Sequence, residues 1–159
     1  VYKNLGFETT REFNYFVQQN ELISLNADVR IPCTIQQTTS EILHNVSGFH
    51  DFEPSWQNST EAILRSVDDF IFLGAYVNND IVGYCVCEPA SGDITRLAVN
   101  QHFRRNGIAS ELLKKAIGLN KHHSLKVVNT DPCCTSITGF LLSKNIELKG
   151  KQFEMIKRL

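Results

Sequence analysis

Three observations predict an α/β fold. The stretch from Gly92 to Leu119 reads as strand, loop and helix. Ile94, Leu97, Ala98 and Val99 form a short apolar run, Asn100 to Asn106 are mostly polar or basic, and Ile108, Leu112, Leu113, Ala116 and Ile117 recur at helical spacing. Two β-rich runs, Phe70 to Val77 and Ile81 to Cys87, are joined by Asn78-Asn79-Asp80, a hairpin signal. Beyond Leu119 extended and helical patterns continue in turn, and at 159 residues the chain can bury a sizeable core as one ordinary domain.

Composition narrows the class. Charged residues make up 21% and hydrophobic ones 42% of the chain. No apolar run nears the ~18 residues that span a membrane and no basic-then-apolar leader is visible, so a cytoplasmic protein without a membrane partner is expected. A net charge of −1 argues against a general nucleic-acid binder, whose affinity rests on clustered Lys and Arg. The five cysteines show no C-x-x-C or metal spacing and read as free thiols. Cys85 and Cys87 alternate along an apolar strand and suit the core, whereas Cys133 and Cys134 sit at a strand-to-helix turn. No metal site is expected.

In chain order, Tyr2 to Phe16 carries Leu5, Phe7, Phe13, Tyr15 and Phe16, and Asn20 to Arg30 reads as a connector. Pro32 to Thr38 is a predicted strand, and Ser40 caps a helix through Val46. Phe49 to Gln57 is irregular and aromatic; Asn58 or Ser59 then caps a helix ending near Arg65, where Asp68 and Asp69 break the pattern. After the hairpin, a strand starts near Asp93. One residue too many lies between Ile94 and Leu97 for strict alternation, and a β-bulge near Thr95 and Arg96 restores the phase. Ser124 to Asn129 gives another strand and Thr135 to Ser143 a helix. Ile146 to Lys149 with Gln152 to Arg158 gives a closing hairpin.

The chemistry concentrates at the start of the helix that follows Gly107. Its first backbone N–H groups lack intrahelical partners and carry partial positive charge, so the turn can hold an anion such as phosphate. Gly107 admits an anion close to the backbone, Ala109 lets the helix start lie near the strand, and Arg104 and Arg105 add charge. A solvated basic loop at an ordinary helix start is the alternative. No GxxxxGK[ST] or strand-borne GxGxxG is present to suggest other phosphate loops.

Arg104-Arg105-Asn106-Gly107-Ile108-Ala109 fits the pattern Gln/Arg, any two, Gly, any one, Gly/Ala, and so resembles the pyrophosphate loop of the GNAT superfamily of N-acetyltransferases. The element order from about Ile31 onward resembles that family too. The resemblance implies a GNAT domain over residues 31–159 with a mostly antiparallel central sheet whose fourth and fifth strands splay at a bulge. It implies acetyl-coenzyme A as cofactor, held by the backbone of Leu97, Ala98 and Val99 and by Arg104, Arg105, Asn106, Gly107, Ile108, Ala109 and Ser110. An N–H near Val99 would face the thioester oxygen.

The implied reaction is acetyl transfer to a primary amine, of a small molecule or a peptide, by direct attack. Only about one alkyl amine in a thousand is unprotonated at neutral pH, so a base is wanted. Asp93, six residues before Val99, matches the position of a strand-borne glutamate base in histone-modifying members, with Glu88 as second candidate; an ordinary turn aspartate is the alternative. Family acceptors enter beside the first two helices, which points to Asp51, Phe52 and Trp56, with Phe49 near them; Asp51 and Glu53 among aromatics would suit a small cationic amine, unless Phe52 and Trp56 are core. The sequence departs from the family where a tyrosine often protonates the leaving thiolate, since Leu141 stands there. Cys134 replaces a common asparagine and Asn145-Ile146 replaces Gly-Phe. A coenzyme A-binding module without transfer is therefore the second reading.

Residues Leu141 to Ile156 also lie over Tyr2 to Phe16, with Ile146 on Phe7 and, with one insertion, Phe153 on Phe13. Such self-similarity suggests that residues 1–30 are the tail and connector of a preceding copy. A lone apolar tail either folds back or adds its strand to a second molecule, and association as a homodimer is the expectation, because an isolated hairpin is marginal.

Overall fold

Asn78 and Asn79 both adopt left-handed backbone, φ 50° and 70°. They turn β3 (Ile71–Val77) into β4 (Asp80–Glu88) through the expected two-residue hairpin. The computed structural model, which describes residues 2–157, adds β1 (Glu8–Gln19), β2 (Thr34–Thr38), β5 (Asp93–Val99), β6 (Ser124–Thr130) and β7 (Glu147–Ile156). These form one seven-stranded sheet in the order β2-β3-β4-β5-β6-β1-β7. Every pairing is antiparallel except β5 with β6. The mixed, mostly antiparallel sheet is the architecture expected.

Each face of the sheet is covered by its own apolar cluster. On one face Leu73, Cys85, Cys87 and Ile94 pack with Leu112 and Leu113 of α2 (Ile108–Leu119). On the other, Phe72, Tyr84 and Val86 pack with Ile42, Leu43 and Ile63. Cys85 and Cys87 are thus core residues, and all five cysteines are free thiols. Ser59, not Asn58, caps α1 (Thr60–Arg65), its Oγ accepting from Ala62 N–H at 3.1 Å. The helix expected from Ser40 to Val46 is a 3-10 turn over Ser40–His44, the geometry that short pieces take.

One expectation is corrected at the C-terminal end of the chain. The closing hairpin is instead one continuous strand, β7, and Gly150 in its middle has no positive φ. Arg158 and Leu159 lie outside the described residues. The partner that a hairpin would have supplied comes from β1, which pairs with β7 from Glu8 opposite Ile156 to Val17 opposite Glu147 and with β6 along its other edge. The N-terminal segment thus takes the fold-back route, pairing with its own sheet along both edges. Phe13 and Phe16 are 1% and 0% exposed there, an apolar burial that intermolecular addition would have had to match.

The connector is stitched down along its length. Asn20 N–H bonds His123 O, Ser24 N–H bonds Lys144 O, and Arg30 N–H bonds Asn106 O, at 3.1, 2.9 and 3.2 Å. It passes directly over the loop that precedes α2. A Cβ on Gly107, whose φ is +84°, would stand 2.7 Å from Asp28 O, so this glycine is required both by its backbone conformation and by the chain crossing it.

Candidate active site

The bulge anticipated near Thr95 is present. Cys87 faces Ile94 and Val86 faces Arg96, which leaves Thr95 as the extra residue on β5. Next to it, β5 and β6 pair at one position only, Asp93 opposite Lys126, and then part. These are the fourth and fifth strands counted from Ile31, so the splay has the expected place. Asn58 enters the gap: its Nδ2 donates to Thr95 O at 3.1 Å and to Val128 O at 3.4 Å, joining strands whose own ladder has ended.

At the far end of β5, Asn100 Oδ1 caps a 3-10 turn by accepting from His102 N–H at 3.0 Å. Arg105 and Gly107 have φ 64° and 84° and swing the chain into α2. The first bond of that helix runs from Glu111 N–H to Gly107 O, so the N–H groups of Ile108, Ala109 and Ser110 lack partners within it. A cavity of about 520 Å³ lies between this turn, the edge of β5 and α3 (Thr135–Ser143). Leu97, Ala98, Val99, Arg104 and Arg105 line it, as do Gly107, Ile108, Ala109 and Ser110. Asn106 does not; its Nδ2 donates to Phe103 O and Arg104 O and shapes the loop instead.

A segment from Phe49 to Pro54 straps the cavity, and Arg104 holds it there. The guanidinium donates to Val99 O at 2.9 Å, to Asp51 Oδ2 at 2.8 Å and to Phe49 O at 3.1 Å. Ser136 on α3 donates to the same Asp51 oxygen at 2.6 Å. Burial alone would raise the Asp51 carboxyl, but the hydrogen bonds from Ser136 and Arg104 outweigh it and hold the group below its ordinary value. Arg104 thus joins the strap to the loop ahead of α2 while lining the cavity. Arg11 secures the other end through Pro54 O at 3.1 Å and through Glu53 O.

Three further groups, invisible as sites in the sequence, face or support the cavity. His50 hydrogen-bonds the hydroxyl of Tyr84 and is lowered to about 4, by burial and then by the Arg96 charge. Tyr84 is fully buried and pushed up to about 12, chiefly by burial. Lys144, 8% exposed, lines the cavity and donates to Asn26 O. Among the described residues no carboxylate lies within 4.0 Å of its ammonium. Burial holds its pKa below the ordinary value.

The candidate base and part of the candidate acceptor site are not brought here. Asp93 lies at the closed end of the β5–β6 pair and does not line the cavity. Its Oδ2 accepts from Thr95 Oγ1 at 3.2 Å, its Oδ1 has no partner, and burial raises it to about 6. Glu88 is likewise outside and accepts from Ser91 Oγ. Asp51 and Phe52 line the cavity, but Trp56 is 60% exposed and does not. Leu141 is 0% exposed in the core, so no side chain at that position reaches the cavity. Among the described residues no cluster suited to a metal ion and no helix long and apolar enough to cross a membrane is found.

Fold and splay together are those of an acetyltransferase scaffold of the GNAT type. The model of the Acetyltransferase (GNAT) family matches residues 36–133, and the chain belongs to that family. No curated protein sequence matches it. Among solved structures, a conserved protein of unknown function from Staphylococcus epidermidis ATCC 12228 superposes with a TM-score of 0.68 at 22% identity, over 98% of this chain and 64% of that one. A GCN5-related N-acetyltransferase from Sphaerobacter thermophilus gives 0.62 at 14% identity, over 98% and 55%. AAC(6')-Iy in complex with a bisubstrate analogue, CoA-S-monomethyl-acetylneamine, gives 0.59 at 16%, over 80% and 99%. The chain spans less than two-thirds of the length of the first two.

Proposed function

We propose that the chain transfers an acetyl group from acetyl-coenzyme A to a primary amine by direct attack. The observation that carries this reading is the cavity of about 520 Å³, with an anion-seeking helix turn at one end and the splayed edge of β5 at the other. The fit is chemical as well as spatial. The free N–H groups of Ile108 to Ser110, the Arg105 side chain and the buried, carboxylate-free Lys144 supply donors and charge for phosphates, while the backbone of Leu97 to Val99 suits an extended amide-bearing arm.

When bound, acetyl-coenzyme A supplies a thioester carbonyl open to an amine. The wall there is apolar, from Phe52, Leu97 and Ile137, and favours the neutral, nucleophilic form of an amine by desolvation. His50, neutral at physiological pH, can accept a hydrogen bond from that amine at Nδ1 in the tautomer whose Nε2–H donates to the Tyr84 hydroxyl. No tyrosine lines the cavity, so the leaving thiolate would take its proton from the amine or from water. That feature favours a second reading, a coenzyme A-binding module without transfer.

Calorimetry with coenzyme A and a thiol-release assay over an amine panel distinguish the two. Binding on the order of micromolar with amine-dependent release is expected. Binding without release selects the second reading, and no binding at millimolar concentration overturns both.

A further inference from the structure

The cavity adjoins a recess of about 40 Å³ at the β5–β6 gap, and His50, Phe52, Leu97 and Ile137 line both. An acceptor whose amine reaches the shared wall has its remaining atoms in or near this recess. Its polar lining comes from Asn58, Asn129, Thr95, Thr130 and Arg96, with no carboxylate among them. The recess therefore carries one formal charge, and that charge is positive.

Among the described residues, Arg96 is held in place without a carboxylate in ion-pair contact. Its Nε donates to Asn58 O at 2.8 Å and its Nη2 to Thr60 Oγ1 at 3.3 Å, neutral acceptors that fix the guanidinium and leave it donor capacity. No carboxylate lies within 4.0 Å of it among the described residues. Glu61, the acidic residue in the first turn of α1, bonds its own backbone N–H and Ser59 and feels the Arg96 charge only from beyond ion-pair contact. Asp28 and Asp51, which line the larger cavity, are each ion-paired, to Arg30 and Arg104. A half-buried guanidinium without a carboxylate partner calls for an anion from outside the chain.

We infer that the acceptor is an amine that also carries a carboxylate, and that Arg96 binds this carboxylate in the recess. The inference rests on the proposed acetyl transfer and replaces the small cationic amine expected from Asp51 and Glu53. The volume suits it: one water needs about 10–15 Å³ of such space, so the recess admits a group of a few heavy atoms such as a carboxylate. The positive charge would also disfavour protonation of the reacting nitrogen, which matters where no free carboxylate serves as base. In the transfer the amine nitrogen bonds the acyl carbon, the C–S bond breaks, and the nitrogen's proton and the thiolate end as a free thiol.

The test uses ω-amino acids from glycine to 6-aminohexanoate, the amide of each, and diamines of matching length, with acetyl-coenzyme A as donor. The best acid should exceed its amide and its matched diamine in kcat/KM by about 10-fold or more, the worth of a hydrogen bond to a charged group. Arg96→Gln should bring acid and amide within about 2-fold of each other, with the acetyl-coenzyme A dissociation constant unchanged. Arg96→Lys keeps the charge and should keep the preference in reduced form, which guards against a folding defect in the first variant. Amides or diamines used as well as acids by the unaltered chain, or an acid-to-amide ratio that survives Arg96→Gln, overturns the inference alone. Absence of turnover with every amine overturns the proposed transfer and this inference with it.

Discussion

Asp51 and Arg104 meet at 2.8 Å, and through this contact the strap over the cavity is fastened to the loop ahead of α2. Both side chains are 28% exposed, so the pair is worth only about 1 kcal/mol to stability. Its larger effect is on position, because Asp51 also receives Ser136. Asp51→Asn should leave the melting temperature within a few degrees but raise the acceptor KM by about 10-fold, whereas Trp56→Ala, outside the cavity, should leave KM unchanged. Steady-state kinetics of the two variants check this.

Lys144 lines the cavity with its ammonium bonded to Asn26 O and 5.9 Å from the centre of the Phe140 ring. Lys144→Met should weaken acetyl-coenzyme A binding by about 10-fold or more, as loss of a charged hydrogen-bond donor does. Calorimetry at rising salt supplies the control: affinity should fall less steeply with ionic strength in the variant than in the parent chain.

Two buried groups should oppose one another in acid. His50, lowered to about 4 from 6.5, is neutral when folded and protonated when unfolded between those values, so it contributes stability that is lost as pH falls through that window. Asp93, raised to about 6 from 3.8, is protonated when folded and ionised when unfolded over much of the same range, so its contribution grows as pH falls. Each slope is at most about 1.4 kcal/mol per pH unit, and they largely cancel. Asp93→Asn should raise stability above pH 6 and expose a decline between pH 6 and 4, while turnover is retained because Asp93 does not line the cavity. Chemical denaturation at several pH values, with rates alongside, reads all three effects.

Asn58 replaces the missing ladder between β5 and β6 with a single amide. Asn58→Ala leaves Thr95 O and Val128 O without that donor and should cost about 1–3 kcal/mol, seen as a lower denaturant midpoint with an unchanged slope.

Whatever depended on local pattern was readable in the sequence. The Asn78-Asn79 turn, the extra residue at Thr95 and the helix opened by Gly107 each follow from backbone preferences or side-chain period over a few residues. Partners distant in the chain were not readable. Phe153 lies opposite Glu12, and nothing near Gly150 announces that β1 will run beside it, so a strand was read as a hairpin. The same holds for the site: Asp51 and Phe49, which engage Arg104, are 53 and 55 residues away from it. His50 and Tyr84 share a hydrogen bond that only the strap creates. Asp93 matched a family position, yet strand pairing puts it where the sheet is closed.

The place of β1 between β6 and β7 also dictates an order of events during synthesis. Glu12 and Lys151, which pair through their side chains, are 139 residues apart. On the ribosome, one edge of β1 can find β6 once Thr130 has emerged, but its other edge stays open until β7 follows. Throughout that interval a nascent chain carries an unpaired strand bordered by phenylalanines. Neighbouring chains on the same message could capture it, so the speed of translation through residues 131–156 should govern how much of the product escapes entanglement.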